Sequence, residues 1–247
     1  MKENKYDDPG FFENYSQMAR SVEGLNAAGE WEVFRSLLPP LQDKRVLDIG
    51  CGFGWHCRYV MEQQAASVIG MDLSEKMLEQ ARLRNNGPGI TYLREAMEDI
   101  DFPPGSFDVV LSSLALHYTG HYDLICRKVH NSLSAGGHFV FSTEHPVFTA
   151  METQDWYYGT AGQRLHWPVD HYQDEGRRVA RFLDTDVVKY HRTVATLING
   201  LLDAGFIITR VEEPKPSPAV LEKYPEMKDE TRRPIFILIA AQKPSAV

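Results

Sequence analysis

The stretch VLDIGCGFGWHC, Val46 to Cys57, constrains this chain more than any other. An apolar strand runs into glycines at three alternate positions, Gly50, Gly52 and Gly54, with Asp48 two residues before the first. Glycine opens backbone conformations closed to other residues and leaves no Cβ between the main chain and whatever approaches it. A strand ending in such a turn and entering a helix starts a βαβ unit, and the following residues repeat that unit. KRVLDIG reads as a first strand, and about Trp55 to Gln64 as a helix. SVIGMD is a second strand. SEKMLEQARLR follows as an amphipathic helix, with Ser74 as its N-cap and NNGPG as its stop. ITYLRE is a third strand, and FDVVLSSLAL a fourth, apolar almost throughout as in a sheet covered on both faces. A helix from about Tyr122 to Leu133 is expected to end at Gly136 and Gly137, before a fifth strand, HFVFST. The pattern predicts an α/β, doubly wound parallel sheet.

The regularity stops at Glu144. From there to about Asp186 the chain is rich in Trp, Tyr, His, Gly and Asp, with no clear period. Irregular segments of that length are usually functional or disordered, and Trp156, Tyr157, Tyr158, Trp167 and Tyr172 argue against disorder. A helix returns over about His191 to Ala204, closed by Gly205. FIITRVEE and PIFILIAAQ are a sixth and a seventh strand, joined by a polar, proline-bearing connection and read as an antiparallel pair. Residues 1–40 form an N-terminal helical segment, and 41–247 the main domain with an aromatic-rich insertion at about 144–186.

Composition narrows the partners. A net charge of -8 and the absence of any dense Lys/Arg run exclude a bulk nucleic-acid surface. Three cysteines, Cys51, Cys57 and Cys126, give no disulfide framework. Cys51, His56 and Cys57 fit no usual zinc spacing, so no metal is expected. The polar start MKENKYDDPG has no signal-peptide core, and no apolar run is long enough to span a membrane. The expectation is a cytoplasmic protein, monomeric or homodimeric.

Glycine-rich turns after a strand serve nicotinamide cofactors, nucleoside phosphates and S-adenosylmethionine. A dinucleotide fingerprint wants glycine at its first, third and sixth positions; counting from Gly50, the sixth is Trp55. A phosphate loop ends in Gly-Lys-Ser/Thr, whereas this turn continues Gly-Trp-His. Both phosphate readings weaken. Asp72, about twenty residues on at the end of the second strand, sits where a carboxylate accepts ribose hydroxyls. In order, Asp48-Ile-Gly50-Cys51-Gly52-Phe53-Gly54, Asp72-Leu73-Ser74 and FPPGSFDVVLSSLALHY resemble the successive motifs of class I S-adenosylmethionine-dependent methyltransferases. More closely, they resemble their small-molecule branch. The motif resemblance covers about Leu41 to Thr143.

That resemblance implies a seven-stranded sheet ordered 3-2-1-4-5-7-6, with strand 7 antiparallel. It implies S-adenosyl-L-methionine as donor, S-adenosyl-L-homocysteine as product, and a donor lying over the ends of strands 1, 2 and 4. Gly50, Cys51, Gly52 and Gly54 would let the backbone approach it. Asp48 would orient its amino group, Asp72 its ribose, and Leu73 would pack on adenine. Ala96 and Met97 are expected at the adenine edge and face, and Ser113 and Leu114 at the methionine end. Tyr15 and Arg20, in a segment similar to the family's lids, are expected at the donor's carboxylate.

Methyl transfer is an in-line displacement that chiefly requires alignment of donor and acceptor. A base is needed only where the nucleophile must lose a proton. His117, Glu144, His145 and His191 are the expected catalytic groups, with Tyr118 and Arg192 contacting a small-molecule acceptor. The alternative in another class is a catalytically silent protein that binds S-adenosylmethionine or S-adenosylhomocysteine. Nucleic-acid or protein methylation is disfavoured, because Ser113 to Tyr118 lacks the Asn/Asp-Pro-Pro-Tyr type of motif.

Overall fold

The computed structural model describes residues 4–245. The N-terminal segment is a chain of short helices: a 3-10 turn over Lys5–Asp7, α1 (Pro9–Ser16), α2 (Ala19–Val22), a second 3-10 turn over Gly24–Ala27, and α3 (Trp31–Leu37). The alternating units follow as β1 (Arg45–Ile49), α4 (Trp55–Glu62), β2 (Ser67–Asp72), α5 (Glu75–Arg84), β3 (Ile90–Arg94), β4 (Phe107–Ser113), α6 (Tyr122–Ser132) and β5 (Leu133–Glu144). Ser74 caps α5 as its sequence position predicts, its hydroxyl accepting from the Met77 N–H at 3.2 Å. The fifth strand starts earlier than expected. Gly136 and Gly137 lie within β5 instead of ending α6, and the pairing of β4 with β5 shifts register between Phe107 and Val109.

The insertion holds α7 (Pro146–Thr149), the hairpin β6 (Tyr157–Tyr158) with β7 (Arg164–His166), and a longer hairpin of β8 (Gly176–Phe182) with β9 (Thr185–His191). It therefore runs to His191 and is more regular than its sequence implies. Then come α8 (Val194–Asp203), β10 (Ile207–Glu212), α9 (Pro218–Lys223), a 3-10 stretch over Pro225–Arg232, and β11 (Phe236–Gln242). The main sheet runs β10-β11-β5-β4-β1-β2-β3, and β11 is antiparallel to both neighbours. In strand-count terms this is the expected order 3-2-1-4-5-7-6.

Strand alternation divides the core between the two faces of the sheet. Leu47, Ile49 and Val110 pack on one side with Tyr122, Ile125 and Val129 of α6 and Leu197 and Leu201 of α8. Val46, Val109 and Leu111 pack on the other with Trp31 and Phe34 of α3 and Cys57 and Val60 of α4. This layering aims the carboxyl ends of β1, β2, β4 and β5 at one crevice, the place where open α/β sheets take their ligands.

Candidate active site

A cavity of about 390 Å³ occupies that crevice, roofed by the N-terminal segment on one side and the insertion on the other. Its floor is the glycine turn. Gly50 and Cys51 both donate main-chain N–H to the Met71 carbonyl, at 2.8 and 2.9 Å, which tucks the turn against β2. Gly50 has φ +71°, and a Cβ there would collide with Ala115, so side chains are excluded twice over. Gly52 has φ +53°, and a Cβ there would meet only Met77, at 3.7 Å.

Asp72 ends β2 against this turn. Gly52 N–H donates to its Oδ2 and Ser74 N–H to its Oδ1, both at 2.9 Å. Burial still outweighs these bonds and pushes the carboxyl up to about 6. Asp48 lies one layer below, fully buried on the α4 side of β1 and outside the cavity lining. Its Oδ2 accepts from Cys57 Sγ at 3.3 Å, while its Oδ1 has no protein partner. Burial first, then repulsion from Asp72, raises it to about 7. Two further buried polar atoms without partners, Ser21 Oγ and Trp55 Nε1, belong to cavity-lining residues. Such unpaired groups are costly and call for a polar ligand or water.

The cavity brings together Tyr15, Arg20, Gly50, Cys51, Gly52, Asp72, Leu73, Ala96, Met97, Ser113, Leu114, His117, Tyr118 and Glu144. Leu114 is held at φ +52°, unusual for a non-glycine residue, with its N–H donating to Ser142 O at 3.0 Å and to Ser142 Oγ at 3.1 Å. Arg20 is paired with the buried Glu30. Tyr6 and Tyr118 share a hydroxyl hydrogen bond of 2.9 Å across the cavity.

Besides Asp48, four expected site residues stand outside the cavity lining, each for a visible reason. Gly54 begins α4 in the left-handed region at φ +76°, and a Cβ there would strike the Tyr92 hydroxyl. It serves helix–sheet packing. His145 caps α7, its Nδ1 accepting from Val147 N–H at 3.0 Å while Nε2 meets Glu213 Oε1 at 2.8 Å. His191 is fully buried between Tyr172 O at 2.9 Å and Thr149 Oγ1 at 2.8 Å. The carbonyl can only accept, so Nε2 carries the proton and Nδ1 accepts from the threonine. Arg192 lies over the Tyr122 ring, 5.3 Å from its centroid, and donates to the Leu116 and Thr119 carbonyls. It braces the turn carrying His117 and Tyr118 from behind.

The polar half of the cavity contains residues that the sequence reading missed. Glu144 Oε1 accepts from Lys189 Nζ at 2.6 Å, Lys189 also donates to Gln154 Oε1 at 3.2 Å, and Gln154 Nε2 donates to Glu144 Oε2 at 3.4 Å. Burial alone would raise the Glu144 carboxyl. Attraction to His117 in its protonated form and to Lys189, together with these hydrogen bonds, outweighs it and holds the carboxyl below its ordinary value. His117 is buried, with Nδ1 3.4 Å from Thr143 Oγ1, and burial drives it down to about 4, so its imidazole is neutral at physiological pH. Phe148, Phe182, Ile235 and Phe236 supply the apolar wall. Lys189 had no clear signal, because TDVVKYH does not alternate in polarity. Among the described residues no group of three or more His, Cys, Asp or Glu could hold a metal ion, and no helix is long and apolar enough to cross a membrane.

Residues 47–141 match the family model described as a methyltransferase domain. A Listeria monocytogenes protein assigned to the S-adenosylmethionine-dependent methyltransferases is 52% identical, with a TM-score of 0.85 over 90% of this chain and 100% of its own. A solved S-adenosylmethionine-dependent methyltransferase of Mesorhizobium loti is 46% identical, with a TM-score of 0.84 over 89% of this chain and 100% of its own. Among curated relatives, the N-demethylindolmycin N-methyltransferase of Streptomyces griseus is 28% identical over 91% of this chain and 95% of its own.

Proposed function

The chain belongs to the class I S-adenosylmethionine-dependent methyltransferases, and from that premise we propose that it methylates a small-molecule acceptor held beneath the insertion. One observation carries the proposal. One continuous cavity joins the turn at Gly50 to Gly52 and the Asp72 carboxylate to a polar, aromatic-walled half containing His117, Glu144 and Lys189. A volume of about 390 Å³ is on the scale of small-molecule sites. The likeness, over 91% of this chain, to an enzyme named for N-demethylindolmycin supports a small acceptor.

Asp72 would accept the donor's ribose hydroxyls, its orientation fixed by the Gly52 and Ser74 amides. Asp48, with one oxygen unpaired, would meet the donor's amino group through water, and Ser21, Trp55 and Arg20 offer N–H and O–H donors to its carboxylate. Bound S-adenosylmethionine supplies an electrophilic methyl carbon on a sulfonium. The protein's part is then alignment and exclusion of water. His117, neutral and buried, can take a proton from a hydroxyl or amine acceptor, and Glu144 would stabilise the imidazolium so formed. The N-terminal segment, through Tyr6, Tyr15 and Arg20, would act as a lid over donor and acceptor.

Calorimetric titration with S-adenosylhomocysteine tests the donor half. Micromolar-class binding is expected for the wild type, and a loss of about tenfold or more for Asp72→Asn, which removes the charge but retains an acceptor oxygen. Absence of binding by the wild type would sink the reading. Product formation from labelled donor across small hydroxyl, amine and acid panels then tests the acceptor half.

A further inference from the structure

Lys189 is the residue of the acceptor half that burial alone makes hardest to account for. Its side chain is 3% exposed, and the residue directly opposite it in the hairpin is a second cation, Arg178. Arg178 is used up by main-chain carbonyls of Ala150, His171, Asp174 and Arg177. Lys189 instead reaches the cavity. A buried ion pair is rarely a net source of stability, and an apolar residue at 189 would serve the hairpin's alternation equally well.

An ammonium carries three N–H donors. Two of those on Lys189 go to Glu144 and Gln154. Beyond them, its contact among the described residues is the face of Phe182, 5.3 Å from the ring centroid. Glu144 accepts from both Lys189 and Gln154 and forms with Lys189 a unit of no net charge. Arg181 adds positive charge at the same cavity, where among the described residues it pairs with the exposed Asp186 at 3.5 Å. The donor's sulfonium adds more once bound. A cationic acceptor would find repulsion here, and a neutral one would leave the third Lys189 donor unpaired.

We propose that Lys189, with Arg181 at the rim, is a carboxylate-binding subsite, so that the acceptor is a small organic acid. Its planar or apolar body lies against Phe148, Phe182 and Phe236. The inference rests on the small-molecule methylation proposed above. Glu144 and Gln154 hold the ammonium in place, and the remaining N–H meets one carboxylate oxygen.

The test uses the protein saturated with S-adenosylhomocysteine and two probes of nearly equal shape, phenylacetate and phenylacetamide. Phenylacetate is expected to bind at least about tenfold more tightly than the amide. The variant Lys189→Met with Glu144→Gln removes both buried charges together, so neither is stranded. It should keep its affinity for S-adenosylhomocysteine and lose the preference for the acid. Equal binding of the two probes, preference for the amide, or binding of neither at millimolar concentration would overturn the carboxylate subsite while leaving the donor reading intact. A preference that survives in the paired variant would overturn the assignment to Lys189. Failure of S-adenosylhomocysteine to bind the wild type would instead overturn the methylation reading, and the subsite with it.

Discussion

Asp48 and Asp72 are carboxylates that the fold buries against their own stability. An isolated aspartate titrates near 4, whereas Asp72 is pushed up to about 6 and Asp48 to about 7. A donor amino group or sulfonium nearby favours the charged forms and lowers both values. Binding of S-adenosylhomocysteine near pH 6.5, about midway between them, should therefore release protons. The calorimetric enthalpy should then vary with the ionisation enthalpy of the buffer, and the variation should shrink in Asp48→Asn. The same substitution should stabilise the empty protein. Because the folded-state pKa of Asp48 exceeds its unfolded value, the folded chain holds the proton more tightly between about pH 4 and 7. The stability contributed by that proton is present at the acid end and is lost as the pH rises through 7. Asp48→Asn should raise the melting temperature at pH 8, with little gain at pH 4, while weakening donor binding. An equal shift at both pH values would count against a charge effect. At this scale the sequence was informative where one turn fixes the spacing, as for Asp48, Gly50, Gly52 and Asp72. It gave no sign that Gly54 packs against Tyr92, which lies thirty-eight residues away on β3.

Within the main sheet, apart from the boundary between α6 and β5, the elements followed from apolar runs and capping, because strands covered on both faces leave a clear mark. The hairpin β8–β9 left none. Its buried face carries Arg178, Lys189 and His191 among Ala180 and Val187, so polarity no longer tracks burial. Its turn is equally unmarked. Leu183 and Asp184 adopt φ +50° and +59° between the paired Phe182 and Thr185, a two-residue connection that Asn-Gly would ordinarily occupy. Leucine is strained there. Replacing Leu183 and Asp184 by Asn and Gly should stabilise the protein by about 0.5–1 kcal/mol in urea unfolding. Destabilisation would show that the Leu183 side chain contributes packing that outweighs its backbone cost. The reverse experiment belongs to α4: Gly54→Ala should cost about 2–3 kcal/mol, from its positive φ together with the Tyr92 collision.

On the scale of the whole molecule, the repeated βαβ units made a doubly wound parallel sheet legible, while the strand order came from the resemblance of the motifs to a known family. Closure of the cavity was not legible, since it depends on two segments far apart in the chain meeting over the sheet. The N-terminal roof is fastened at few points. Asp7 Oδ1 accepts from Ser74 Oγ at 2.6 Å and from Lys76 N–H at 3.2 Å, at the first turn of α5 beside Asp72. Tyr6 meets Tyr118, and Arg84 Nη1 donates to Ser21 O at 3.1 Å. The Ser74 and Lys76 bonds help hold the Asp7 carboxyl below its ordinary value, against the raising effect of its partial burial. If donor exchange requires this roof to lift, the Asp7 clasp sets part of the barrier. Asp7→Ala should speed S-adenosylhomocysteine release about fivefold, the rate equivalent of about 1 kcal/mol, with a smaller effect on association. Stopped-flow fluorescence can follow this, because Trp55 lines the cavity. Hydrogen exchange should place the accompanying loss of protection in residues 5–28. An unchanged release rate, with exchange altered only in residues 144–191, would move the exit route to the insertion and make the hairpin that carries Lys189 the element that opens.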